Sequence, residues 1–384
     1  MKMRTFKQKY LIGALALLAV VLSGGCSEHK APTPYLWPVV DGFPLPQVPA
    51  DNPMTLEKVE LGRHLFYDKN LSFNQTQSCA SCHEQAYGFG ENKPTSVGST
   101  GQAHRRNAQA LVNIAYNKTL TWAHDGITSL EQQILLPMFG ESPVELGITG
   151  NEEEILQRFK SPKYKVLFQA AFPDQAISYD LIVKSLASFV RSLISLNAPF
   201  DRYAYYGEDD ALNESEIRGM NLFFSEKLEC HHCHGGFNFT QSTSHETQQL
   251  DRRPFHNTGL YNVINERGEA GYPKTDIGLA EISTLARDNG RFRAPTLRNI
   301  AVSAPYMHDG SIATLGEVID MYARGGRNVS SGELAGDGKL NPLKSQFVKG
   351  FELSEQDKAD LLAFFYTLTD KDFLTNPKFQ APTP

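Results

Sequence analysis

Two short stretches, Cys79-Ala80-Ser81-Cys82-His83 and Cys230-His231-His232-Cys233-His234, share the spacing Cys-x-x-Cys-His. Two thiols one helical turn apart can make thioether bonds to the vinyl groups of a haem, and the adjoining imidazole can ligate its iron. With 5 cysteines and 11 histidines in 384 residues, one such match arises by chance with a frequency of roughly 0.002. Two copies therefore point to two covalently bound haems c, each replacing part of an ordinary apolar core. His234 is the expected iron ligand of the second motif, and His231 and His232 are read as bystanders.

The chain is long enough for two domains, and 41% hydrophobic residues suffice for a core in each. Lys2, Arg4, Lys7 and Lys9 precede the apolar run 11–22, which is too short to span a bilayer and reads as an export signal over 1–25. Cys26 follows directly, at a position that resembles a bacterial lipoprotein cleavage site; a simple secretory signal with a free thiol is the alternative. Either reading takes the chain out of the cytoplasm, to the periplasm and, with acylation of Cys26, to a lipid anchor on the outer membrane. Loss of the signal moves the formal charge from −6 to −10, so nucleic acid is excluded as a partner.

A proline-rich segment (26–53) reads as an extended tether or surface wrap. Helical patterning then places helices over 55–68, 179–196, 213–224 and 354–370, the last two opening with Asn213/Glu216 and Ser354/Asp357 start signals. Gly62-x-x-Leu65-Phe66 and Gly219-x-x-Leu222-Phe223 each lead into a Cys-x-x-Cys-His, as an internal duplication would show. The expected fold is mainly α with long loops and little β: two cytochrome c-like haem domains, 54–210 and 211–384.

The stretch FRAPTLRNIAVSAPYMHDGSIATL (292–315), following two Cys-x-x-Cys-His motifs, resembles the bacterial diheme cytochrome c peroxidase and MauG family over nearly the whole mature chain. The segments GFPLPQVPADNPM (42–54) and ELGRHLFYD (60–68) resemble the MbnH-like subgroup more sharply still. The resemblance implies that His83 is the proximal ligand of a peroxide-reactive haem, with Gln133 and Glu145 on its distal side. A carboxylate there can move a proton between the two oxygens of peroxide. Conventional members carry an iron-capping histidine after the Ser-x-Gly of the preceding loop, where this chain has Ser99. His104 lies five residues on, as a surface residue or an alternative ligand. The first haem is therefore expected to be five-coordinate or water-bound without prior reduction.

The sixth ligand of the second haem in conventional members is a methionine fourteen residues after the histidine of the PYxHDG motif. Counting from His308 without a gap gives Tyr322, with Met321 adjacent, and MauG-type enzymes have tyrosine there. A phenolate stabilises ferric and higher states where a thioether stabilises ferrous iron. The resemblance also assigns Trp122 as an aromatic bridge between the haems, and one Ca2+ to the Asn107 side chain and the backbone carbonyls of Ser303 and Pro305, oxygen ligands suited to a hard cation. MauG's surface tryptophan before its second haem motif is Leu228 here, and Trp37 is left unassigned.

These readings lead to a diheme oxidase that forms a high-valent two-haem state with hydrogen peroxide and oxidises a side chain on a partner protein. Resemblance to the MbnH-like subgroup implies a periplasmic MbnP-like copper-binding partner and conversion of tryptophan to kynurenine. The alternative is a cytochrome c peroxidase reducing hydrogen peroxide with electrons from a small cytochrome. A third reading, a non-catalytic diheme electron carrier, needs both irons six-coordinate.

Overall fold

In the computed structural model, which describes residues 31–383 apart from Val39 and Glu266, the architecture rests on two helix crossings. Helix Leu56–Tyr67 packs across Tyr179–Arg191, and Glu214–Phe223 packs across Glu355–Tyr366. A glycine sits at each crossing. A Cβ on Gly62 would lie 2.0 Å from the Ser185 carbonyl oxygen, and one on Gly219 would lie 1.9 Å from that of Asp360. The Gly-x-x-Leu-Phe repeat thus exists because two helices touch backbone to backbone at one point. The phenylalanine four residues on turns inward beside it.

Each inward phenylalanine joins a buried aromatic triad. Phe66 meets Phe189 and Phe89 at ring separations of 5.1 and 5.9 Å; Phe223 meets Phe364 and Phe239 at 5.3 and 5.9 Å. The duplication extends further than the sequence motifs suggested. Asn113 and Asn299 both adopt left-handed backbone, φ 53° and 58°, which asparagine tolerates. The Asn113 N–H donates to Leu193 O and its Oδ1 accepts from Ser195 N; the Asn299 N–H donates to Leu368 O and its Oδ1 accepts from Asp370 N. Both asparagines therefore clamp the chain just after the second helix of their pair. The helix expected over 179–196 ends at Arg191: Leu193 N still bonds back to Val190 O, but Leu193 O and Ser195 N are taken by Asn113 and cannot continue the helical ladder.

The other expected helices form at Leu56–Tyr67, Glu214–Phe223 and Glu355–Tyr366, with both reciprocal start boxes in place. Sheet is confined, among the described residues, to the hairpins Val263–Ile264/Ala270–Gly271 and Asn328–Val329/Gly336–Asp337. Two apolar cores result, one around Leu65, Phe89 and Phe189, the other around Phe223, Ile319 and Phe364. Segments cross between them: Phe373 packs in the first core, Ala123 in the second. Residues 32–384 form one compact unit.

The junction is held by Arg298, whose fully buried guanidinium makes a two-pronged pair with Asp201 at 2.8 and 2.9 Å and donates to the Phe237 and Ser195 carbonyls. The proline-rich segment lies against this region: Pro44 O accepts from the Tyr116 hydroxyl, and Phe43 packs on Tyr205 and under Arg298. The export signal and Cys26 lie outside the described residues. No helix among the described residues is long and apolar enough to cross a membrane.

Replacing Gly219 by alanine should cost about 1–3 kcal/mol or more by forcing the helices apart, against about 1 kcal/mol for removing the Asn213 cap. Urea unfolding of the two haem-loaded variants checks the order; equal losses would contradict a contact at the crossing.

Candidate active site

The first cavity is built round His83. Its Nδ1 lies 2.8 Å from the Phe89 carbonyl oxygen. A carbonyl can only accept, so Nδ1 carries the proton and Nε2 presents its lone pair. The Cys79 and Cys82 thiols line the same cavity and are free, pushed up by burial to about 12 and about 11. In the second cavity, His234 Nδ1 lies 3.0 Å from Pro295 O and 3.2 Å from Phe239 O, with Cys230 and Cys233 beside it. Burial holds His234 down to about 4, a neutral imidazole at ordinary pH.

Both cavities suit haem. Each gathers both cysteines and the histidine of one attachment motif onto a wall otherwise made largely of apolar side chains. The second also holds a residue that the sequence reading missed. Arg293 is 2% exposed and donates to Thr121 O and Gln109 Oε1, but among the described residues no carboxylate pairs with it. Burial lowers its guanidinium to about 10. A buried cation without a counter-ion is unfavourable, and a haem propionate would supply the missing charge. His256, whose buried Nε2 has no partner, lines the same cavity. Nothing in the local sequence distinguishes this arginine from a surface one.

Gln133, Glu145 and His104 also line the first cavity. Gln133 comes from helix Leu130–Phe139, and its buried Oε1 has no hydrogen-bond partner. Desolvation pushes the Glu145 carboxyl up to about 7. Two-fifths of its side-chain surface is accessible, but Glu145 lines the cavity, so a bound cofactor would dry it further. The loop carrying Ser99 is a tight hairpin: Gly98 N donates to Gln102 O, and His104 N donates to Ser96 O. Ser99 N donates to Glu145 O, and a Cβ on Gly98 would collide with Val144 O at 2.0 Å. The hairpin returns His104 to the cavity, its Nδ1 3.9 Å from Glu145 Oε1.

In the second cavity Tyr322, on helix Leu315–Arg324, lines the wall, whereas Met321 is buried in the apolar core behind it. Burial pushes the Tyr322 hydroxyl far above the ordinary phenol range, so only a cation in the cavity would hold it as phenolate. Leu228 is buried against this cavity and reaches no surface suited to an exit route. Trp122 lines both cavities. Its Nε1 donates to Asn107 O at 2.9 Å, and its carbonyl accepts from Arg293 N. Trp37 lies in the proline-rich segment with its ring edge-on to Tyr35.

Asn107 connects the cavities to the loop expected to hold calcium. Its N–H donates to His308 O, and its Nδ2 donates to the Lys93 and Pro94 carbonyls. That leaves Oδ1 as the group available to a hard cation, near the loop that carries Ser303 and Pro305. The donor set is all oxygen and fits calcium.

Residues 56–210 match the family model described as di-haem cytochrome c peroxidase. The chain is 34% identical to cytochrome-c peroxidase IdrP1 of Pseudomonas sp. (strain SCT), over 92% of this chain and 90% of that protein. It is 31% identical to methylamine utilization protein MauG of Methylorubrum extorquens, over 83% and 80%. A crystal structure of a MauG-like protein associated with microbial copper homeostasis superposes with a TM-score of 0.87 at 45% identity, covering 91% of this chain and 99% of that one. The two haem cavities, the repeated helix crossings and these matches agree: the chain belongs to the diheme cytochrome c peroxidase/MauG family of peroxide-dependent oxidoreductases.

Proposed function

We propose that this chain uses hydrogen peroxide to oxidise a side chain on a partner protein, as a MauG-type enzyme rather than a cytochrome c peroxidase. The observation that carries the reading is the tyrosine at the second cavity, with Met321 turned into the core. His234 and Tyr322 both line the second cavity, and a haem held by this pair would gain from the phenolate a preference for oxidised iron. Such a haem would store an oxidising equivalent and be a poor acceptor of electrons from a small cytochrome. The similarity to a MauG-like protein associated with microbial copper homeostasis supports a partner linked to copper, in this proposal an MbnP-like copper-binding protein whose tryptophan is converted to kynurenine. The proposed setting is the periplasm, with Cys26 as a lipid anchor.

When bound, the haems supply the redox chemistry, taking two oxidising equivalents from peroxide. The chain's own residues handle protons and position. Glu145, with its carboxyl near neutrality, can take a proton from one peroxide oxygen and return it to the other. Gln133 Oε1, lacking any other partner, accepts a hydrogen bond from a molecule in the cavity. His104, 3.9 Å from Glu145, is the next group to which a proton can pass; this gives it a role other than iron ligand. Trp122, common to both cavities, is the aromatic path between them.

The deprotonated form of Glu145 is the one that accepts a proton, so the rate of reaction with peroxide should rise as pH climbs through about 7. Stopped-flow measurement on Glu145→Gln should show a loss of roughly 100-fold or more and no such rise; an unchanged profile would remove Glu145 from the chemistry. Tyr322→Met should raise the potential of the second haem in a redox titration and let a reduced small cytochrome drive peroxide turnover. If the wild-type protein already consumes reduced cytochrome rapidly and leaves the partner's mass unaltered, the chain is a cytochrome c peroxidase. Chelation of calcium should change the electron paramagnetic resonance of the haems, since Asn107 accepts from Trp122 through its backbone; identical spectra would argue against a structural ion.

A further inference from the structure

We infer that Glu226, His231 and His232 form a surface site for a divalent transition-metal ion of the copper(II) or zinc(II) class, beside the second haem attachment. The ligand atoms of these three side chains all lie within 4.8 Å of one another. The two histidines fill the variable positions between Cys230 and Cys233. Their rings lie 4.3 Å apart and 32° from parallel, so both Nε2 atoms turn toward one carboxylate.

An imidazole paired with a carboxylate through a strong hydrogen bond lies about 2.7–2.9 Å away. Here His231 Nε2 stands 3.4 Å from Glu226 Oε1, and His232 Nε2 makes only a long hydrogen bond, 3.3 Å, to Oε2. Two ligand atoms each about 2.0–2.1 Å from a tetrahedral ion are roughly 3.3–3.4 Å apart, so each imidazole stands far enough from its carboxylate oxygen to admit an ion between them. Imidazole nitrogen with one carboxylate oxygen is a donor set for copper or zinc, not for calcium or magnesium.

The surroundings hold the ligands and leave the site open. The His232 ring stacks on Phe347 at 4.5 Å and 19°, and Phe224 approaches His231. Lys349 and Lys227 are engaged by Glu229 and Asp357. Among the described residues no lysine or arginine pairs with Glu226, so its charge is available to a cation. Glu226 is 77% exposed, which gives an ion an entry path and the carboxylate freedom to adjust. Coordination through Nε2 puts the ring proton of His231 on a buried Nδ1 that has no acceptor. That cost, together with only three protein ligands, sets a micromolar rather than nanomolar affinity.

Copper(II) titrated into the metal-stripped, haem-loaded protein should bind at one equivalent per chain, with nitrogen hyperfine structure in its electron paramagnetic resonance. Glu226→Gln should weaken binding ten-fold or more, and His231→Gln with His232→Gln should abolish the stoichiometric site. No stoichiometric binding, or binding undiminished in both variants, would overturn the assignment. If the double variant fails to attach haem, Glu226→Gln decides alone, because it leaves the attachment motif intact.

Discussion

Each half of the molecule depends on how the imidazole of its haem motif is held: His83 donates to the Phe89 carbonyl, and His234 is shared between the carbonyls of Phe239 and Pro295. Phe89 and Phe239 hold their carbonyls in place from left-handed backbone, φ 61° and 48°, a conformation that costs a non-glycine residue about 1–2 kcal/mol. Both rings are fully buried within the aromatic triad at a helix crossing, and burying a phenylalanine contributes about 1.5–3 kcal/mol. The glycines at the crossings let the helices approach closely enough to complete the triads. The orientation of each imidazole is thus an output of helix packing.

The two halves share this frame and differ in what faces the open side of the cavity. In the first half, the cavity carries proton-active groups: a carboxyl near neutrality, an amide oxygen with no hydrogen-bond partner among the described residues, and an imidazole. In the second half, the lining is mainly apolar, with Tyr322, His256, His308, Thr258, Glu229 and Arg293 among its polar residues. One frame therefore serves two differently lined cavities. The indole of Trp122, tied to Asn107 on one side and through its carbonyl to Arg293 on the other, is the physical connection between them.

Much of this was legible from the sequence, for reasons of spacing. The Cys-x-x-Cys-His motifs, the capped helices and the Gly-x-x-Leu-Phe repeat are local patterns, and each reads a constraint that acts within one or two turns. Features that require distant segments to meet were not legible. The Asn113 and Asn299 clamps, which shorten the helix expected to reach 196, depend on contacts across 82 and 71 residues. Arg293 is distinguished only by the absence of a counter-ion, which needs the fold to be seen. The approach of Glu226 to His231 and His232, five and six residues away, likewise matches no simple ligand spacing. His104 reaches Glu145 through a hairpin whose register the sequence does not display.

The central claim is that one haem is open and the other closed by a tyrosine. The electron paramagnetic resonance spectrum of the as-isolated ferric protein tests it most directly. The account predicts a high-spin signal from the first haem beside a low-spin signal from the second, both lost on adding one equivalent of hydrogen peroxide without prior reduction. Two low-spin signals indifferent to peroxide would contradict it, leaving a carrier or a peroxidase that must first be reduced.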